Sequence, residues 1–97
     1  MKSAPANKRE AFSAAIRRFP YFELPIRRLI EADETFREIC EELAEAEGAL
    51  LAAHSAPAPL REARQAEWQE LVDRLVGEVD AAIRRDASAR GTSTIGR

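Results

Sequence analysis

Glu38, Glu41, Glu42 and Glu45 stand at i, i+3, i+4 and i+7, a spacing that gathers carboxylates on one helix face. Carboxylate-bridged metal sites in helical proteins use such pairs, but they also need Glu-x-x-His on partner helices. The chain has one histidine, His54, with no Asp, Cys or second His beside it, so the four acids read as a solvated face rather than a metal site. Cys40, the single cysteine, lies next to Ile39 and among acids that raise a thiol pKa, so it reads as packed and inert. There is no Gly-rich phosphate loop, no G-x-S-x-G, and no Ser, His and Asp set that a small helical domain would assemble. The expectation is a non-enzyme without catalytic residues, metal or cofactor.

Charge chemistry is the other possibility. Arg17, Arg18, Arg27 and Arg28 form two doublets interleaved with Phe19, Tyr21 and Phe22, a mixture that suits phosphate backbones and stacked bases. Residues 1 to 28 hold seven Lys or Arg against two acids, a local balance of +5, and residues 29 to 50 hold eight acids against Arg37, a balance of -7. The remainder holds seven of each, which leaves a net charge of -2 and a pI near 5.5. Acids next to the basic segment repel phosphates within a Debye length of about 8 to 10 Å, which disfavours nucleic acid as the partner. The four arginines remain the candidate anion or nucleic-acid contacts.

The elements that carry these groups are helical. Glycine is scarce and Ala, Glu, Arg and Leu dominate, so the fold class expected is all-α. Residues 1–7 and 86–97 lack periodicity and read as flexible tails around one helical domain, 8–85. Over 8–19, Phe12, Ala15, Ile16 and Phe19 mark one face of a short basic amphipathic helix. Pro20 ends it, and PYFELP is a compact apolar turn before Pro25 starts the next helix.

From 25 to 53 the apolar residues repeat every seven positions. Phe22, Leu29, Phe36, Leu43 and Leu50 fall on one line, with Ala32, Ile39, Ala46 and Ala53 three residues after members of it. Asp33 as an N-cap, or Thr35 with Glu38 as a capping box, would break this helix near 31–35, and the heptad phase running through the site leaves continuity and a break both open. AAHSAPAP is a connector, and a last helix over 60–85 carries a wide stripe that includes Trp68, Leu71, Val72, Leu75, Val76 and Val79. Two long helices joined by a short loop make an antiparallel hairpin.

A stripe wider than one facing helix covers needs another occupant. The first helix folded back, a foreign helix and a second copy are the alternatives, and a second copy, giving a four-helix bundle, is the simplest. The interface expected for self-association, or for a partner helix, is Phe22, Leu29, Phe36, Leu43, Leu50, Trp68, Leu71, Val72, Leu75, Val76 and Val79. No apolar run approaches the roughly 20 residues of a membrane span. The lone cysteine and the absence of a signal peptide suggest a cytoplasmic protein.

With these residues in place, the region from Ile26 to Ile83 resembles the YdcH-like family of short bacterial helical hairpins, whose role is not established. Ile26 and Leu29 match the family's opening, Asp33 its capped turn, and Phe36, Ile39, Cys40, Ala46, Glu47 and Leu50 the heptads that follow. Leu43 stands where the family tends to carry His or Tyr, and the second helix is a mixed Arg and Glu segment rather than Lys-rich. The resemblance implies a bacterial helical hairpin and supplies no catalytic residue. Together these readings suggest a small interaction or adaptor module, with a regulatory nucleic-acid binder or a helper of a larger complex as alternatives.

Overall fold

The computed structural model describes the backbone of residues 4–95 and the side chains of residues 8–90. Its order is α1 (Ala4–Arg18), a 3-10 turn (Pro20–Phe22), α2 (Glu23–Ala32), α3 (Glu34–Ala53) and α4 (Ala58–Ile95). The chain is all-α, as its composition implies. Helix α1 starts within the tail expected over 1–7, and α4 runs ten residues past 85, so the tail expected over 86–97 is helical through Ile95. Residues 1–3 and 96–97 lie outside the described residues. The α4 extension is explained by good helix formers, Ala87 and Ala89, and by the Arg90–Asp86 pair one turn apart.

Of the two alternatives near 31–35, the break is found, and one residue makes it. Asp33 has extended backbone angles, φ -121° and ψ 104°; its N–H closes α2 on Leu29 O, while its side chain opens α3 by accepting from Phe36 N–H at 3.1 Å. Arg37 then donates back to Ile30 O at 2.6 Å, satisfying a carbonyl that the end of α2 leaves open.

The break changes which residues face inward. In α2 the buried side chains are Ile26 and Ile30; Leu29 is half-buried and Phe22 lies exposed before the helix. The heptad line drawn through Phe22 and Leu29 therefore does not mark the core of this segment. The extended residue rotates α2 away from the phase of α3. In α3 the line is good: Phe36, Leu43 and Ala46 are buried and Leu50 half-buried, with Cys40 buried beside them.

Helix α1 also turns differently from the expectation. Its fully buried residues are Ala11, Ala14 and Ala15, while Phe12, Ile16 and Phe19 sit half-buried at the edge of the core. Small side chains let α1 approach α3 closely, so the alanines, not the phenylalanines, occupy the contact.

Helix α3 lies at the centre, with α1 and α4 packed along it. Lys8 meets Glu31 and Arg27 lies over Phe12, so α1 and α2 run antiparallel. Arg17 and Arg18 reach Glu47 well along α3, so α1 and α3 share a direction. Ala46 shares a groove with Leu71, and Ala53 with Arg64, which makes α3 and α4 the antiparallel hairpin expected. The four α-helices of the described residues thus alternate in direction around a core of Phe36, Ile26, Leu43, Leu75, Val72, Val79 and Cys40. The molecule measures 60 × 29 × 20 Å. At 1.5 Å per residue, α4 is about 57 Å long and spans the whole of the longest dimension.

Candidate helix-docking groove

The residues expected to form a self-association face divide into two groups. Phe36, Leu43, Val72, Leu75 and Val79 are interior residues of the single chain, between 0 and 1 % exposed, and offer nothing to a second molecule. Leu29, Leu50, Trp68, Leu71 and Val76 are half-buried around that core, and Phe22 is 42 % exposed. The sequence shows an apolar stripe but not which part of it the chain's own first helix will cover.

Trp68 and Leu71 matter most, because they line an open groove. On the flank of the α3–α4 pair, two depressions of about 280 and 240 Å³ meet at Trp68. One is lined by Glu42, Glu45, Ala46, Leu71 and Arg74, the other by Ala49, Ala52, Ala53, Ala56 and Arg64. On α3 these positions recur at three- and four-residue steps, so they form one continuous stripe. From Glu42 to Ala53, where α3 ends, it covers eleven residue steps, roughly 17 Å at 1.5 Å each, or about three helical turns, and Ala56 of the connector lines its far end. Its α3 wall is mostly alanine, which permits close approach of another backbone. Helix α1 packs on a different flank of α3, where Arg17 meets Ala44 and Glu47.

Two acids, Glu42 and Glu45, and two cations, Arg64 and Arg74, line this groove. Glu38, Glu41, Glu42 and Glu45 make no ion pair among the described residues, whereas Glu47, Glu31, Glu23 and Asp86 all hold a cation. Among the described residues no group of three His, Cys, Asp or Glu is placed to hold a metal.

The four arginines of the basic segment each meet a carboxylate. Arg17 Nη2 and Arg18 Nε donate to the two oxygens of Glu47 at 2.7 and 2.9 Å. Arg27 Nη2 donates to Glu23 at 2.6 Å and lies 4.7 Å from the centre of the Phe12 ring; Arg28 Nη2 donates to Asp86 at 2.7 Å. Arg17 and Arg18 thus engage the acidic helix, while Arg27 pairs within its own segment and Arg28 with α4. A phosphate would compete with a carboxylate at every one of them.

The remaining reactive side chains are occupied structurally. Cys40 is a free, fully buried thiol whose pKa burial pushes up to about 12, with the charge of Glu41 adding to the rise. A ring nitrogen of His54 lies 3.1 Å from Leu50 O, where the ring caps the end of α3. Sequence reading placed Ala15 on the inner face of the first helix but missed Ile26, Ile30, Ala11 and Ala14 as core; a count of short residues at helical spacing would have found the last two.

No helix of the described residues is long and apolar enough to cross a membrane. Compared with protein-family models, curated proteins and solved structures, the chain gives no match.

Proposed function

We propose that this protein is a non-catalytic interaction module of a bacterial cytoplasm, and that it binds by seating a helix of another protein along the α3–α4 groove. The observation that carries this reading is the groove itself: about three turns long, walled by alanines, with the chain's only tryptophan at its middle. Tryptophan is a favoured binding anchor, since it contributes large contact area with few rotatable bonds. Helix-in-groove recognition uses this shape. The inward thiol of Cys40 and the structural position of His54 support a non-catalytic role. The resemblance to the YdcH-like hairpins, carried by Ile26, Leu29, Asp33 and Phe36, belongs to the same proposal and adds no other activity.

Selection of helical peptides from a displayed library against the folded chain tests this. Trp68 emission reports occupancy directly, and Ala49→Arg blocks the groove without touching the core. Selected helices should shift the emission and lose binding to the blocked variant. Binders that ignore Ala49→Arg and leave the emission unchanged would refute the groove. A dilution series by sedimentation tests whether a second copy is the occupant, in which case mass and emission change together.

A further inference from the structure

Away from the groove, the packing of α1 on α2 leaves a second concave surface. Lys8, Arg9 and Phe12 of α1 and Arg27, Ile30 and Glu31 of α2 enclose a depression of about 220 Å³. Its walls carry three cations against one acid. Its floor is apolar, since Ile30 is buried and Phe12 half-buried against the core. A wider trough of about 520 Å³ adjoins it, sharing Arg27 and Glu31 and continuing over Leu24 and Ala32 with Arg28 at its edge. Leu24 is 70 % exposed there. A cationic hollow thus opens into an apolar one.

The cations of the first hollow have capacity to spare. Arg27 is held on two sides, by the Phe12 ring 4.7 Å away and by Glu23 at 2.6 Å, so its position is set before any ligand arrives. Glu23 takes one of the five N–H donors of that guanidinium. Lys8 holds Glu31 at 3.1 Å, but the two side chains are 39 and 65 % exposed, and pairs of that kind contribute little, so the ammonium can accept a second anion. Arg9 has no hydrogen bond or ion pair among the described residues. That alone does not single it out, because Arg64 and Arg85 have none either. What distinguishes Arg9 is the company of two further cations and an aromatic ring around one hollow. With Glu23 counted beside Glu31, the cations Lys8, Arg9 and Arg27 still outnumber the acids. In the α3–α4 groove, by contrast, Glu42 and Glu45 balance Arg64 and Arg74.

We propose that this face binds a single-chain anionic amphiphile, a fatty-acid carboxylate, with its head among Lys8, Arg9 and Arg27 and its chain laid past Phe12 and Ile30 to Leu24 and Ala32. The guanidiniums supply charge-assisted hydrogen bonds to the carboxylate, and the trough removes the chain from water. A small anion would leave the trough unused, and an uncharged chain would leave the cations unmet. Concave walls suit one molecule, whereas a flat lipid surface meets what protrudes. The inference stands apart from the helix-docking reading and shares no residue with it.

The test is calorimetric titration of the full chain with decanoate, below its micelle-forming concentration and near neutral pH, where the carboxylate is ionised. Acetate, which has the head without the chain, and decyltrimethylammonium, which has the chain with the opposite charge, are the controls. Decanoate should bind at least about tenfold more tightly than either. Arg9→Ala and Leu24→Ser replace exposed side chains, so the fold survives both, and each should weaken decanoate by about threefold to tenfold. Ala49→Arg, in the α3–α4 groove, should leave decanoate binding unchanged. Decanoate no tighter than the two controls would overturn the proposal. So would binding that survives Arg9→Ala and Leu24→Ser but is lost in Ala49→Arg, since the ligand would then sit in the groove. Sedimentation with vesicles of an anionic phospholipid, in a chain that takes up no free decanoate, would overturn it in favour of a membrane surface.

Discussion

Glu47 of α3 receives Arg17 of α1 at 2.7 Å on one carboxylate oxygen, and its other oxygen is held by Arg18 at 2.9 Å. The carboxylate side chain is only 16 % exposed although both guanidiniums reach solvent. One acid thus anchors the end of the first helix to the central one. Glu47→Ala should destabilise the fold by about 1 kcal/mol, since each partly exposed pair contributes a few tenths to 1. For a domain of this size that is a fall in melting temperature of roughly 4 to 8 °C. Thermal melts at low and high salt check it, and the difference between variant and parent should narrow as salt screens the pairs.

Asp33 serves two helices. Replacing it by Ala removes the acceptor for Phe36 N–H and should cost about 1 kcal/mol, within the 0.5 to 2 usual for an N-cap. Asp33→Ser should restore most of that, because a hydroxyl accepts the same bond. Urea unfolding followed by circular dichroism separates the two variants.

Burial predicts a contrast between leucines. Leu43 is fully buried, and Leu43→Ala should cost about 2 to 5 kcal/mol, enough to leave a small domain largely unfolded. Leu24, 70 % exposed, and Tyr21, 93 % exposed, should tolerate Ser within about 0.5 kcal/mol. Equilibrium unfolding of the three variants tests the assignment of inside and outside on the two sides of the Asp33 break.

Cys40 gives the fold an alkaline limit. Its folded pKa, about 12, lies above the ordinary 9.0, so the folded chain keeps a proton that the unfolded chain sheds. The stability this represents is complete below about pH 9 and is lost as pH rises toward 12. The slope it adds is at most about 1.4 kcal/mol per pH unit. Unfolding measured between pH 8 and pH 11, with Cys40→Ala as the reference, should show a steeper alkaline loss for the parent chain. Equal slopes would mean that the thiol is not interior.

What the sequence makes legible follows from what periodicity measures. Within α3 the seven-residue spacing of Phe36, Leu43 and Leu50 marks the inner face, because one unbroken helix preserves phase. Across Asp33 it fails: Phe22 and Leu29 share the spacing, yet Ile26 and Ile30 are the buried pair. A single extended residue resets the rotation and leaves no trace in a count of sevens. In α1 the expected face of Phe12, Ala15, Ile16 and Phe19 does pack on the core, but the centre of the contact is shifted to Ala11, Ala14 and Ala15, since hydrophobic patterns weight large residues. At the groove, the sequence shows Trp68 on a stripe too wide for one neighbour, and the acids Glu42 and Glu45 on the next helix. That these stand together depends on the pairing of α3 with α4. The commitment of Arg17, Arg18 and Arg28 to acids 29 to 58 positions away is likewise a property of the tertiary fold.

The alanine contact of α1 has a consequence of its own. Ala11, Ala14 and Ala15 present a smooth strip to α3, and the larger Phe12, Ile16 and Phe19 reach only the edge of the core, so little in the middle of the contact fixes how far along its neighbour the helix sits. Nothing polar is buried among the described residues to mark the place either. Position is therefore indexed in part by charge, with Arg17 and Arg18 at Glu47 a stop along α3 and Lys8 at Glu31 a second stop against α2. With both stops removed, α1 would keep its hold on α3 and shift by a turn, about 5.4 Å, rather than let go.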